Sequence, residues 1–202
     1  MYLSKIGLDI RSASVRQSMR DCGDMHRNVQ KLFTASRAEE SVLYRVYQNE
    51  TGCFLYTMSE NMPRETQDTL HNGMHILGCK DVSTMEVACV PGRQLRFNLL
   101  TMPFKKVYDG VSKNSRRKFL QSPEERAAWL QRKGEQNGFQ ILSMEELQGN
   151  ILTSRQKGET MYIPTVRYTG VLCVQDRDAF IHGWKYGIGA EKAYGLGMLL
   201  IQ

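Results

Sequence analysis

A chain of 202 residues with 41% hydrophobic and 24% charged content can bury a real core in one mid-sized or two small domains, which excludes disordered and fibrous classes. Its apolar runs fall short of the ~18 residues that a membrane helix needs, and MYLSKIGLDI lacks the h-region and cleavage site of a secretory signal. A cytoplasmic protein with no membrane partner is therefore expected. Five scattered cysteines form neither a disulfide framework nor a CxxC knuckle, so free, mostly buried thiols are expected, and the net charge of +6 becomes informative through its placement.

In chain order, Ile6, Leu8 and Ile10 alternate with Gly7 and Asp9, the pattern of a half-buried strand. Val15, Met19, Cys22, Val29 and Phe33 then recur at helical spacing. Gly23 and Asp24 interrupt that stripe, so either one helix runs through or Asp24 caps a second helix starting near Met25. SVLYRVYQ and CFLYTMS, joined by NETG, read as a hairpin. NMPRETQDTLHNGMHILG reads as helical in its middle, and TMEVACV as a strand. The resulting β-α-β-β-α-β order by about residue 90 is that of a ferredoxin-like unit.

Leu95, Phe97 and Leu99 open the second half as a strand that stops at Pro103. KKVYDGVSKNSRRK follows, with six basic residues (Lys105, Lys106, Lys113, Arg116, Arg117, Lys118) against Asp109, a local charge of 6 − 1 = +5. Gly110, Ser112 and Asn114 mark it as a hairpin or loop, a protrusion able to reach a polyanion. In SPEERAAWLQRKG, Ser122 with Glu125 forms a capping-box pattern, Pro123 takes the first helical position, and Gly134 is expected just past the end. FQIL, NILTS and PTVRYTGVLCV read as strands with RQKG at a hairpin tip, DRDAFIHGWKYG as a helix capped by Asp176, and MLLIQ as a short central strand. The element order predicts an α+β protein of two tandem ferredoxin-like domains, residues 1–90 and 91–202, the second carrying the basic protrusion and a C-terminal glycine-rich loop.

GIGAEKAYGLG, with Gly187, Gly189, Gly195 and Gly197 before the last apolar run, demands a close approach to the backbone. It follows a helix instead of opening one, which argues against a dinucleotide fingerprint, and it lacks the GxxxxGK(S/T) spacing of a nucleotide-phosphate loop. No cofactor is expected. Together with MYLSKI, LRFNLLTMPFKK, AAWLQRKG and TVRYTGVLCVQDRDAFIHGWKYGIGAEKAYGLGMLL, the segment resembles the CasE family of CRISPR repeat-processing endoribonucleases, RAMP-superfamily subunits of type I-E Cascade. The resemblance implies an RNA backbone packed against the glycine loop in the cleft between two ferredoxin-like domains, with Lys192 supplying charge. It also implies repeat stem-loop RNA and other Cascade-type subunits as partners.

His71 and His75 have i, i+4 spacing but no third ligand is evident, so surface histidines are expected and no metal. His26 has two readings: a core histidine on a continuous helix, or a first-turn imidazole where free amides favour phosphate. MHRNVQKLF resembles the family segment with the catalytic histidine, which implies that role for His26. Metal-independent attack by the 2'-OH would then leave a 2',3'-cyclic phosphate and a 5'-OH. Arg155 and Lys157, on the RQKG hairpin, have two readings: cations that neutralise the developing charge, or a solvated hairpin tip. Many relatives carry a tyrosine three residues before this histidine, where this chain has Gly23.

Overall fold

The computed structural model describes residues 1–34, 40–108, 116–156 and 158–202. Its first sheet contains β1 (Tyr2–Leu8), β2 (Leu43–Asn49), β3 (Gly52–Ser59) and β4 (Met74–Asp81) in the antiparallel order β2-β3-β1-β4. Alternation on β1 buries Ser4, Ile6 and Leu8, while Ile10 lies past the strand end and is exposed. NETG makes the β2–β3 turn as expected, with Asn49 opposite Gly52.

The apolar stripe after β1 is divided between two helices, α1 (Ala13–Arg20) and α2 (Cys22–Gln30), with Phe33 beyond the second and Met19 exposed. Asp21, in extended conformation, separates them, and its carboxylate accepts from the Gly23 and Asp24 amides at 2.8 and 3.4 Å. The cap is thus Asp21 and not Asp24, which puts His26 in the second turn of α2 instead of the first. TMEVACV is no strand: α3 (Gln67–His71) leads into β4, and residues 83–88 form α4 (Ser83–Ala88). MHILG becomes a strand because β1 offers it an antiparallel edge, Leu8 to Met74 and Gly7 to His75. His71 therefore ends a helix and His75 sits on a strand, both exposed, so they share no helical face.

The second sheet repeats the topology with β5 (Gln94–Thr101), β8 (Phe139–Gln156), β9 (Glu159–Val174) and β10 (Leu199–Ile201), ordered β10-β5-β9-β8. Between β5 and helix α5 (Pro123–Gln136), β6 (Phe104–Val107) and β7 (Arg116–Phe119) pair as the basic hairpin. FQIL and NILTS belong to one long strand, β8, with irregular register between Ile141 and Ser143 and between Gln148 and Ile151. The final strand is an edge strand, not a central one. Ser122 caps α5 through the Glu125 amide at 3.1 Å, but the Glu125 carboxylate bonds Lys105 instead of closing the box. Gly134 lies inside α5, where a Cβ would sit 2.7 Å from the Phe139 carbonyl oxygen; the chain reverses at Gly138, φ 68°. Asp176 caps α6 (Arg177–Tyr186), which buries Phe180 and Trp184. The chain is thus α+β, two tandem ferredoxin-like units.

The two units share a core. Leu43 and Met58 of the first sheet join Phe97, Leu99, Trp129, Trp184 and Ile188 of the second unit in one apolar cluster. Successive residues of a strand face opposite sides. On β2, Leu43 turns into this shared core while Tyr44 turns into the separate core of the first unit, with Ile6, Met25 and Val29. Arg45 is buried at the seam, donating to the Asn98 carbonyl at 3.3 Å, and burial pulls its pKa down to about 10. Among the described residues no helix is long and apolar enough to cross a membrane, and the cysteines are free, with Cys79 exposed.

Candidate nucleic-acid interface and active site

Four segments far apart in sequence meet at a small apolar hub. Cys22 of α2, Met102 ahead of the basic hairpin, Ile163 of β9 and Leu196 of the glycine loop are buried together, with Phe104, Phe119, Leu152 and Tyr194 against them. A hub of this kind fixes what its spokes carry. From it radiate the helix bearing His26, the β6–β7 hairpin, the β8–β9 hairpin tip with Arg155, and the loop with Lys192. Cys22 and Leu196 are the residues that sequence reading passes over as ordinary apolar positions. Burial, the larger cause, and the nearby Asp21 push the Cys22 thiol up to about 11, so it stays protonated at neutral pH and serves as packing.

The β8–β9 hairpin grips the start of α2. Thr153 Oγ1 donates to the Arg20 carbonyl at 2.6 Å, and the Arg155 amide donates to Asp21 Oδ2 at 3.2 Å. Gly23 makes this approach possible, because a Cβ there would lie 2.9 Å from Ser154 Oγ and 3.1 Å from Asp21 Oδ1. Gly23 is therefore the contact point for the hairpin. His26 follows one turn later, half-buried as a residue with both ring nitrogens shielded from solvent, its ring stacked at 6.4 Å and 19° on Tyr44. Arg155 is exposed; Lys157 lies outside the described residues.

The glycine loop is folded against protein. Gly187, Gly189, Gly195 and Gly197 have φ of 83°, 93°, 81° and 85°. A Cβ at Gly197 would lie 2.7 Å from the Ile188 carbonyl oxygen, and one at Gly195 would lie 3.0 Å from the Tyr44 ring. Gly187, Gly195 and Gly197 are buried, so the close approach read from the sequence is to the protein's own groups at these positions. The partly exposed part of the loop runs from Gly189 to Tyr194 and includes the 3₁₀ turn Lys192–Tyr194, which packs on α2. Lys192 Nζ donates to the Tyr186 carbonyl at 2.6 Å, closing the C-terminus of α6, and burial lowers its pKa. Its ammonium is thus directed at the protein. Glu191, which the sequence reading did not single out, is left-handed at φ 58° and takes Arg117 at 2.7 Å.

In the basic hairpin Lys105 stands opposite Lys118 and Lys106 opposite Arg117. Like charges facing across a strand pair are destabilising. Lys105 is offset by Glu125 at 3.0 Å and Arg117 by Glu191. Lys106, Arg116, Arg117, Glu191, Met161 and Tyr162 line a groove of about 570 Å³. Lys113 lies outside the described residues. A larger concavity of about 970 Å³, between β2 and β8, has Arg20 and Arg167 as its cations and many apolar walls such as Met19, Val46 and Leu147. The smaller groove suits a polyanion better because three cations converge there beside the loop. Among the described residues no group of three or more His, Cys, Asp or Glu side chains converges as a metal site.

Two ferredoxin-like units in tandem define a class of proteins. This chain belongs to it through the CRISPR associated protein family, which matches residues 1–202. The CRISPR-associated endoribonuclease Cse3 of Thermus thermophilus is 27% identical over 216 residues, covering 100% of this chain and 99% of the relative. The Escherichia coli K12 CRISPR system Cascade subunit CasE is 28% identical over 210 residues, covering 98% of each. Among solved structures, Cse3 bound to a 19 nt RNA has a TM-score of 0.86 at 26% identity over 100% of both chains. Cas6e from E. coli K-12 has a TM-score of 0.77 at 26% identity, covering 100% of this chain and 98% of that one.

Proposed function

We propose that this chain is an endoribonuclease of CRISPR RNA processing that binds the stem-loop of repeat RNA and cleaves the precursor without a metal ion. The convergence of the His26 helix, the two hairpins and the glycine loop on one hub is the observation that carries the reading. The RNA stem lies along the groove of Lys106, Arg116 and Arg117. A-form RNA hides its base edges in a deep, narrow major groove, so these cations, with Lys105, Lys113 and Lys118, read phosphates and groove shape.

RNA supplies its own nucleophile. The 2'-oxygen bonds to phosphorus as its proton leaves, the bond from phosphorus to the 5'-oxygen breaks, and that oxygen takes up a proton. The products are a 2',3'-cyclic phosphate and a 5'-OH. Imidazole, with an unperturbed pKa near ~6.5, serves either proton transfer at neutral pH, and His26 is the group assigned to one of them. Arg155, together with Lys157, supplies charge for the developing phosphorane. Lys192 props the loop beneath the phosphate through Tyr186. The cut RNA stays bound, as befits a subunit of a Cascade-type complex with other protein subunits.

The test offers repeat RNA in EDTA beside a copy carrying one 2'-deoxy sugar at the cleavage position. Cleavage of the ribose copy alone, with a cyclic phosphate end, is expected. Binding without cutting of either would make the chain a non-catalytic RNA-binding subunit, and a metal requirement would remove the mechanism.

A further inference from the structure

Tyr44 belongs to β2, which carries none of the groups invoked above, yet its side chain reaches both halves of the site. It is 1% exposed. Its ring lies nearly parallel to that of His26, 19° apart at 6.4 Å. On the loop side, a Cβ at Gly195 would meet the ring at 3.0 Å, so the ring sits close against the loop. Its hydroxyl is 2.8 Å from the Ala193 carbonyl oxygen and 3.4 Å from that of Cys22.

A phenol has one proton to donate, and both neighbours only accept. The shorter contact to Ala193 is therefore the bond, with Cys22 as the competing acceptor. The two acceptors are informative. Ala193 is the middle residue of the 3₁₀ turn in the loop, and Cys22 opens the helix that carries His26. In an α-helix the residue four positions before His26 is the one whose carbonyl receives its amide. Tyr44 thus touches the loop, the imidazole and the backbone that orients the imidazole. Burial pushes the phenol well above its ordinary pKa, so it remains a donor wherever RNA is handled.

We propose that Tyr44 is a positioning residue for cleavage: its ring and hydroxyl set the separation of the His26 helix from the glycine loop, and so the aim of the imidazole at the scissile phosphate. The inference rests on the function proposed above for His26. It differs from ordinary core packing in what it predicts. A core residue supports the fold, and its loss affects binding and cutting together. A positioning residue acts through the group it positions, and its effect disappears when that group is gone.

The experiment is a double-mutant cycle on the full chain with Tyr44→Phe and His26→Ala, reading single-turnover cleavage, RNA affinity and melting midpoint. Phe keeps the ring and removes only the hydroxyl. Misplacement of a reacting group by about 1 Å can cost ~10²-fold, so Tyr44→Phe is expected to slow cleavage by about 10- to 100-fold with affinity within about threefold. In the His26→Ala background the same change should have no further effect. Cleavage by Tyr44→Phe at the wild-type rate overturns the proposal, as does a loss that multiplies undiminished with that of His26→Ala. Should Tyr44→Phe melt below the assay temperature, Gly195→Ala, which presses the ring from the loop side, must give the same His26-dependent loss; a His26-independent loss is again negative. If His26→Ala alone leaves cleavage intact, the catalytic reading fails first, and the cycle reports that separately.

Discussion

In the carboxy-terminal loop three of four glycines are buried, and the space beside all four is filled by protein. In the β6–β7 hairpin, by contrast, Lys105 to Val107 and Arg116 to Lys118 are all exposed, with like charges set opposite one another. The loop's shape is over-determined by packing, so it can hold a geometry. The hairpin's cations are held weakly, so they can change partner. The first kind of region suits chemistry, where sub-ångström placement matters, and the second suits capture of a polyanion, where charge matters more than place. Glu191 spans the two, a loop residue whose carboxylate holds Arg117 at 2.7 Å.

That contrast is most sharply tested at His26. His26→Ala is expected to slow single-turnover cleavage by about 10² to 10⁴-fold and leave RNA affinity unchanged, checked by gel shift on the same RNA. A parallel loss of affinity would show that chemistry and capture are not separated. Next comes the loop itself. Gly197→Ala puts a methyl 2.7 Å from the Ile188 carbonyl at φ 85°, and should cost about 1 to 3 kcal/mol of stability, read from denaturant midpoints. An unaffected midpoint would mean that the loop is not held by packing.

The hairpin should respond differently. Replacing Arg116 and Arg117 together by Ala should weaken binding and flatten the slope of log affinity against log salt by roughly one to two, since each neutralised phosphate contributes about 0.7 to 0.9. The melting midpoint should barely move. Equal salt slopes for variant and wild type would break the comparison. Lys192→Met gives the smallest effect expected: loss of the bond to the Tyr186 carbonyl at 2.6 Å should cost about 1 kcal/mol of stability, with cleavage changed less than by His26→Ala. A cleavage loss equal to that of His26→Ala would return Lys192 to the chemistry.

Much of the architecture was legible because local signals agreed. Ser122 and Pro123 start α5, Asp176 starts α6, NETG turns β2 into β3, and each behaves as its residue type dictates. The errors fall where local signals are short or conflicting. Residues 83–88 span six positions, too few for the helical and strand periods to be told apart, and their helix buries none of its own side chains. MHILG has the composition of either element, and only the edge of β1 decides in favour of a strand. Asp24 resembles a cap as well as Asp21 does; Asp21 takes the role because its second carboxylate oxygen also receives the Arg155 amide, from a hairpin 134 residues away.

The site divides along the same line. Residue chemistry alone left His26 and the glycine ribbon with alternative readings; it was the ordered motifs resembling the CasE family that made them, with the basic hairpin, expected parts of one RNA-handling protein. Which groups those parts touch was decided by the tertiary structure: glycines closed in by Tyr44 and Ile188, Lys192 turned to Tyr186, and Gly23 held against Ser154. The reason is range. A cap or a turn is settled by residues within a few positions, whereas a buried contact depends on which distant surfaces burial brings together, and neither partner carries a mark of the other in its own sequence.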